Sequence, residues 1–297
     1  MNVPDLNIRR GRLVDHEAIK SFTTETFPWG DYVASVYPEW LAEPDGDVLV
    51  AVDDEDRPVA IVRVRLVSPQ EGWISGARVA PDHQRRRVGS RLNNAAVDWL
   101  TDKGAVVVRL AIEEVNEGAR AQVEKLGYRS VARFIHGQRT FPHLAPSLES
   151  GANGGRRLPA PERFDIAPAA EAEPAYVVFS SGELARAGHG LFAPRGWDFR
   201  RLYHSDLQSA ARRRQFWTSP SGWATTDQSE RAMWVGLLVT TPDDAPATVR
   251  AMIDLGQEQQ VESLELVVPR IAWLEEALTA EHVELGHSAL IYERPLR

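Results

Sequence analysis

The sequence predicts an α/β protein, a mixed and mostly antiparallel sheet with helices on both faces, laid down twice along the chain. Three observations carry that prediction. Short β-branched and apolar runs alternate with longer stretches whose apolar residues recur every three to four positions. One run, Gly104-Ala105-Val106-Val107-Val108-Arg109-Leu110-Ala111-Ile112, is nearly continuous, as expected of a strand covered on both faces. The length, 297 residues, suits about two domains rather than one.

The first half reads in order. Leu6-Asn7-Ile8-Arg9-Arg10 alternates as a short strand, and Asp15 is an acidic N-cap for a helix running to Phe22. Phe27-Pro28-Trp29-Gly30-Asp31 breaks that helix, and Val33, Val36, Tyr37, Trp40 and Leu41 form one stripe of a second, over residues 32–41. Residues 48–52 and 58–67 flank the turn Asp53-Asp54-Glu55-Asp56 as a hairpin, and that turn lacks the spacing of a calcium loop. Residues 73–80 are the next strand. A polar, arginine-rich turn leads from it into a helix over residues 89–103, with Leu92, Ala95, Ala96, Trp99 and Leu100 at helical spacing. After the central strand, residues 116–126 form a helix closed by Gly127, and residues 128–135 a further strand.

Residues 142–162 are rich in Pro, Gly and Ser and have no periodicity, which sets a first domain at 1–141, a linker at 142–162 and a second domain at 163–297. The second half repeats the order. Tyr176-Val177-Val178-Phe179 reads as a strand, residues 199–211 as a helix and residues 233–239 as a strong strand. Pro242 then suits the first helical position, and residues 264–268, 271–278 and 287–292 follow as strand, helix and strand. This succession mirrors the first half and implies a tandem duplication.

Composition narrows the function. A formal net charge of -8 opposes nonspecific binding to nucleic acid or to an anionic membrane, so the arginine runs 85–87 and 212–214 act locally. The absence of cysteine excludes disulfides, thiolate metal sites and a cysteine nucleophile. The first residues lack a basic stretch leading into an apolar core, and no run approaches membrane-spanning length. The expectation is a cytoplasmic enzyme without a metal ion. No G-x-x-x-x-G-K-[ST], H-E-x-x-H, G-x-S-x-G or G-x-G-x-x-G occurs.

The chemistry concentrates in Arg78-Val79-Ala80-Pro81-Asp82-His83-Gln84-Arg85-Arg86-Arg87-Val88-Gly89-Ser90. A strand-to-helix turn presents unsatisfied backbone N–H groups where the positive end of the helix dipole favours an anion such as phosphate. Gly89 permits close backbone approach, and Gln84 to Arg87 add donors that fork onto phosphate oxygens. The plainer reading of the same residues is a solvated basic turn.

This stretch resembles the acyl-CoA pyrophosphate loop of the GNAT superfamily of N-acetyltransferases, Gln/Arg-x-x-Gly-x-Gly/Ala, with Gln84 and Gly89 matching its ends. Arg87 stands where the family usually has glycine, and at positive φ an arginine reaches that conformation only at a steric cost. Downstream, Asn116-x-x-Ala119 and Glu124-Lys125-Leu126-Gly127-Tyr128 resemble the segment after the family's fifth strand. The resemblance spans residues 5 to 140 well and the rest in outline. It implies acetyl-CoA as cosubstrate, held by Arg78, Val79, Gln84, Arg85, Arg86, Arg87, Val88, Gly89, Ser90 and Asn116, with the strand backbone near Val79 pairing with the pantetheine amides. Asn116 has helix capping as its alternative role.

The same resemblance makes Trp29, Tyr32 and Tyr37 acceptor contacts, with aromatic packing as the alternative for each. The family's tyrosine acid falls on Val123, and Tyr128 is read as packing. Glu113 and Glu114 point to opposite faces at the end of the central strand, and Glu113 is preferred as base, with a solvated carboxylate ahead of the helix as the alternative for either. The second half has Thr-Thr-Pro-Asp-Asp-Ala-Pro where the first has its loop, and two acids there repel a pyrophosphate. The reading is therefore an N-acetyltransferase acting on an amine of a small molecule or peptide. Its second, degenerate copy completes the acceptor cleft or a homodimer. A non-catalytic acyl-CoA sensor or scaffold is the alternative.

Overall fold

The computed structural model describes residues 6–24, 30–141, 162–229 and 231–296, and two compact units divide the chain: Met1–Ser130 with Ile291–Arg297, and Val131–Leu290. The division differs from the one expected at 142–162, most of which lies outside the described residues. The strand ahead of that span belongs with unit 2 from Val131, and the chain's last residues belong with unit 1. Sheet membership follows backbone hydrogen bonds between strands, and a linker's composition does not report them.

Unit 1 runs β1 (Asn7–Arg10), α1 (His16–Thr23), α2 (Val33–Leu41), β2 (Gly46–Val52), β3 (Pro58–Ser68), β4 (Glu71–Val79), α3 (Val88–Asp102), β5 (Val107–Glu113) and α4 (Glu117–Lys125). Its strands follow the order β1-β2-β3-β4-β5, antiparallel except for β4 with β5. The strand that re-enters at Ile291 lies beside β5, where Leu296 N–H donates to Val106 O at 2.8 Å. Ile19, Val33, Tyr37 and Trp40 of α1 and α2 pack on Val48, Val50, Val52 and Ile61, one face of the sheet by strand alternation. Leu100 of α3 lies against Gly72, which pairs with Leu66 and so faces the opposite way from Ile61. Helices thus cover both faces, as the sequence predicts.

The pairing of β4 positions the site. Ser75 lies opposite Arg63 but Arg78 opposite Ile61, so β4 carries an extra residue there. Gly76 takes the strain of this bulge at φ +63°, and a Cβ on it would stand 2.5 Å from Trp40 Cη2. Beyond the bulge β4 leaves its neighbour. It pairs with β5 only over Glu71–Trp73 and Val107–Arg109, although the strands continue to Val79 and Glu113. A gap between the two strands results.

Unit 2 contains β6 (Arg129–Thr140) from Val131, then β7 (Asp165–Ile166), α5 (Ala172–Ser181), α6 (Glu183–Ala187), β8 (Leu191–Phe192), β9 (Arg200–Arg201) and α7 (His204–Arg212). It continues with β10 (Phe216–Ser219), β11 (Gly222–Gln228), β12 (Ala232–Val239), α8 (Ala245–Glu258), β13 (Ser263–Pro269), α9 (Ala272–Ala280) and β14 (Glu284–Pro295) as far as Leu290. Its sheet has the order β6-β13-β12-β11-β10-β7, parallel only between β12 and β13.

Three expectations for this half change. Tyr176-Val177-Val178-Phe179 is helical, because Ala172, Ala175 and Phe179 bury one stripe of α5 and that packing overrides the β preference of the valines. The helix expected at 199–211 begins only at His204, after Arg200–Arg201 pair as a strand. The proline at the start of α8 is Pro246, not Pro242. Among the described residues no helix is long and apolar enough to cross a membrane.

Gly76→Ala adds a methyl group against the Trp40 ring at a backbone angle alanine avoids. A loss of about 2–4 kcal/mol is expected, read as a lower urea midpoint for unit 1.

Candidate functional site

The turn after β4 lies at the open end of this gap. Ala80 N–H still donates to Val59 O at 2.8 Å, and the Pro81–His83 turn closes with Gln84 N–H on Pro81 O at 3.2 Å. Gln84 is extended, and its side-chain amide donates back to Val79 O at 3.2 Å, so Gln84 braces the turn. Arg85 and Arg87 are both left-handed, at φ +60° and +61°, and α3 starts at Val88. Arg87 therefore keeps the backbone that glycine would adopt and carries a steric cost of about 1–2 kcal/mol.

The consequence is a concave run of donors. From Arg85 to Ser90 no backbone N–H finds an acceptor among the described residues, and the first intrahelical bond is Arg91 N–H to Arg87 O at 3.1 Å. Val88 turns its side chain inward, whereas Arg85, Arg86 and Arg87 are exposed. A Cβ on Gly89 would meet the Gln122 side-chain amide at 2.9 Å, so α4 borders this cradle.

The other expected residues divide. The guanidinium of Arg78 is paired with Asp31 at 2.6 Å and lies over the Tyr32 ring at 5.7 Å, so its side chain serves the α2 side of the sheet rather than the turn. Tyr32 is half exposed and meets Trp40 edge-on at 6.0 Å. Tyr37 is fully buried, stacks on His16 and donates its hydroxyl to Arg12 O at 2.9 Å. It packs the core instead of lining a cleft, because an aromatic on the inner stripe of α2 fills the space over β2. Trp29 lies outside the described residues. The Val79 carbonyl is engaged by Gln84, and Ser90 stands in the first turn of α3.

At the far end of β5, Glu113 lies two alternations from Arg109 and shares its face. Its carbonyl accepts Asn116 N–H at 2.9 Å, and Asn116 Oδ1 caps α4 by accepting Ala119 N–H at 3.1 Å. Val123 is buried. Tyr128 hydrogen-bonds Asn93, and burial pushes its phenol up to about 12.

Two features of unit 1 were not read from the sequence, because both come from the chain's far end. Tyr292 donates its hydroxyl to Glu124 at 2.9 Å, and burial raises its pKa above the usual phenol value. Arg109, 2% exposed, is bound by Glu71 at 2.5 Å and Glu293 at 2.6 Å. Only pairing registers across 184 positions reveal the second contact.

The corresponding turn of unit 2 is closed on itself. Thr240 and Thr248 join hydroxyls at 2.8 Å, Thr248 donates to Ser221 O at 2.8 Å, and Thr241 donates to Asp244 at 2.8 Å. Ala245 N–H is taken by Thr241 O at 2.9 Å.

Comparisons with known proteins fit this geometry. A model of the acetyltransferase (GNAT) family matches residues 15–128. No curated protein matches the chain in sequence. Among solved structures, a GCN5-related N-acetyltransferase from Sphaerobacter thermophilus superposes with a TM-score of 0.67 at 14% identity, covering 100% of this chain and 98% of its own. A tandem GNAT protein from the clavulanic acid biosynthesis pathway gives 0.56 at 14% identity, covering 98% of each. A GCN5-related glucosamine N-acetyltransferase region of a fungal multi-domain β-N-acetylglucosaminidase gives 0.63 at 11% identity, covering 98% of this chain and 38% of that one. Residues 15–128 thus match the acetyltransferase (GNAT) family model, and the fold along the chain is that of the GNAT acetyltransferase structures on which it superposes.

Proposed function

We propose that unit 1 is an acetyl-CoA-dependent N-acetyltransferase of the cytoplasm, acting on a primary amine of a small molecule or peptide. The observation that carries this is the row of unpaired backbone N–H groups from Arg85 to Ser90, set where β4 and β5 have parted. Such a row at a helix start binds a diphosphate. Exposed Arg85, Arg86 and Arg87 add charge around it, and the absence of a Cβ at Gly89 keeps the floor open beside Gln122. Acetyl-CoA, when bound, supplies an acyl carbonyl on a thiol leaving group. The edge of β4 that faces the gap orients the bound chain by main-chain hydrogen bonds, the Val79 carbonyl joining once Gln84 releases it, and Asn116 borders the chain at the head of α4.

Glu113 is the base in this reading, its carboxylate accepting the proton of the acceptor ammonium. Tyr32 and the Arg78–Asp31 pair face the acceptor. The closed, acidic turn of unit 2 disfavours a second CoA site. A second reading, an acyl-CoA sensor or scaffold without turnover, is favoured by the buried valine at 123, which supplies no proton to a leaving thiolate.

Calorimetry with acetyl-CoA is expected to give one site per chain, abolished in Gly89→Glu; unchanged binding in that variant places the cofactor elsewhere. Arg87→Gly should raise the melting temperature, by relief of about 1 kcal/mol of left-handed strain, and keep acetyl-CoA binding within a few-fold. A large loss of affinity there would mean that the side chain, not the backbone, holds the phosphate. Thiol release over a panel of amines separates the two readings, since turnover on any amine removes the sensor. Glu113→Gln is then expected to lower kcat about 100-fold or more with the KM for acetyl-CoA unchanged.

A further inference from the structure

The two ends of the proposed donor belong to opposite faces of the unit 1 sheet. The cradle sits at the start of α3, and α3 covers the face toward which Gly72 points, with Leu100 against that glycine. Glu113 shares the face of Arg109, which pairs directly with Trp73, and Trp73 points away from α3 because it follows Gly72 in β4. A thioester anchored in the cradle and presented to Glu113 therefore crosses the sheet through the gap beyond Trp73, beside the bulge of β4.

On that far face Trp40 occupies the place of the side chain that Gly76 lacks. A Cβ on Gly76 would stand 2.5 Å from Trp40 Cη2, 2.8 Å from Cζ3 and 3.6 Å from Cζ2, so the tip of the indole rests on the bulge itself. The ring is held there from its other sides. Arg63 lies over it at 5.5 Å, with its own fork on Glu43 at 2.7 and 2.9 Å and a further bond to Ser75 Oγ at 3.2 Å, and Tyr32 meets it edge-on at 6.0 Å. Swinging Trp40 aside would uncover a guanidinium only 6% exposed, which makes the indole a fixed wall rather than a flap. Along β4 the same face carries Trp73 where pairing with β5 ends, then the Ser75 hydroxyl, then this wall. An acyl tail beside the bulge meets indole at either end and a polar flank between, a setting that gains nothing from added methylenes.

We propose that Trp40 sets the acyl length that unit 1 accepts, admitting an acetyl group and excluding donors of four carbons or more. The inference rests on the reading of unit 1 as an acyl-CoA enzyme and adds the residue that selects its donor. A single methylene that a rigid site cannot take up changes discrimination by about 10–200-fold, and a butyryl group carries two more than acetyl.

Calorimetry of the full chain with CoA, acetyl-CoA and butyryl-CoA tests this without an acceptor. Acetyl-CoA is expected to bind about ten-fold or more tightly than butyryl-CoA. Trp40→Leu removes the ring atoms at the bulge and should narrow that ratio to about three-fold or less. The Kd for free CoA should stay nearly unchanged in the variant, a readout that general loosening of unit 1 would move. Trp40→Phe, whose ring is shorter than indole, should give an intermediate ratio, and it carries the test where Trp40→Leu does not fold. Equal affinity of the unsubstituted chain for the two thioesters, or a ratio indifferent to both substitutions, overturns the proposal and leaves the reading of unit 1 standing. Failure of the unsubstituted chain to bind CoA and acetyl-CoA overturns both.

Discussion

The ion cluster at Arg109 sets where the sheet of unit 1 stops being a sheet. Arg109 occupies the last position at which β4 and β5 pair, opposite Trp73, and Glu71 and Glu293 grip it from both sides. A second donor, the Ser68 hydroxyl, reaches Glu71 at 2.8 Å and satisfies its remaining oxygen. Buried ion pairs add little net stability, because desolvation cancels most of the attraction, yet losing one partner costs about 3–5 kcal/mol. The cluster therefore acts on register more than on stability. It locks β5 between β4 and the returning strand at one end, so the bulge at Gly76 can turn β4 away at the other without the pairing sliding.

The turn beyond that gap separates backbone from side chain. Two arginines in left-handed geometry within three positions are costly, and nothing in their side-chain contacts among the described residues compensates. A conformation retained at that cost, where the residue type no longer favours it, marks the backbone path itself as the constrained feature. Unit 2 supplies the control. Its β12 and β13 also pair only over Ala232–Val235 and Ser263–Leu266 before continuing, so the parting of the central strands is kept, while threonines and aspartates fill the turn with their own hydrogen bonds. Strand parting is thus a property of the fold, and the open cradle a property of one sequence.

Much of this architecture was legible in periodicity. The central run at 104–112, the α3 stripe and the capping Asn116 gave their elements within a few residues, since local pattern and burial agree there. The reading failed where tertiary packing outvoted local preference, as for Val177 and Val178 in α5, and where strands were too short or polar to alternate visibly, as in Phe216–Ser219 and Gly222–Gln228. At the site, the turn was visible as a motif because glycine and glutamine at fixed spacing have few other uses. Arg78 was assigned to the turn, but charge complementarity draws it to Asp31, 47 positions away, and no local pattern encodes that pairing. Tyr37 illustrates the same limit: an aromatic on an amphipathic stripe looks alike whether the facing surface is a cleft or a core.

Val123, at the position where the resemblance implies a tyrosine acid, bears unequally on the two proton transfers of the proposed reaction. A thiol titrates near 8.5 and an aliphatic amine near 10.4, so at neutral pH the thiolate leaves almost unaided while the amine arrives protonated. Losing an acid at position 123 therefore costs the departing sulfur little. Losing a base costs every turnover the fraction of amine left uncharged, about one part in a thousand or less at pH 7. In the proposed reaction a carboxylate at the end of β5 serves the more demanding of the two functions, the role proposed for Glu113, which lies on the same face as Arg109.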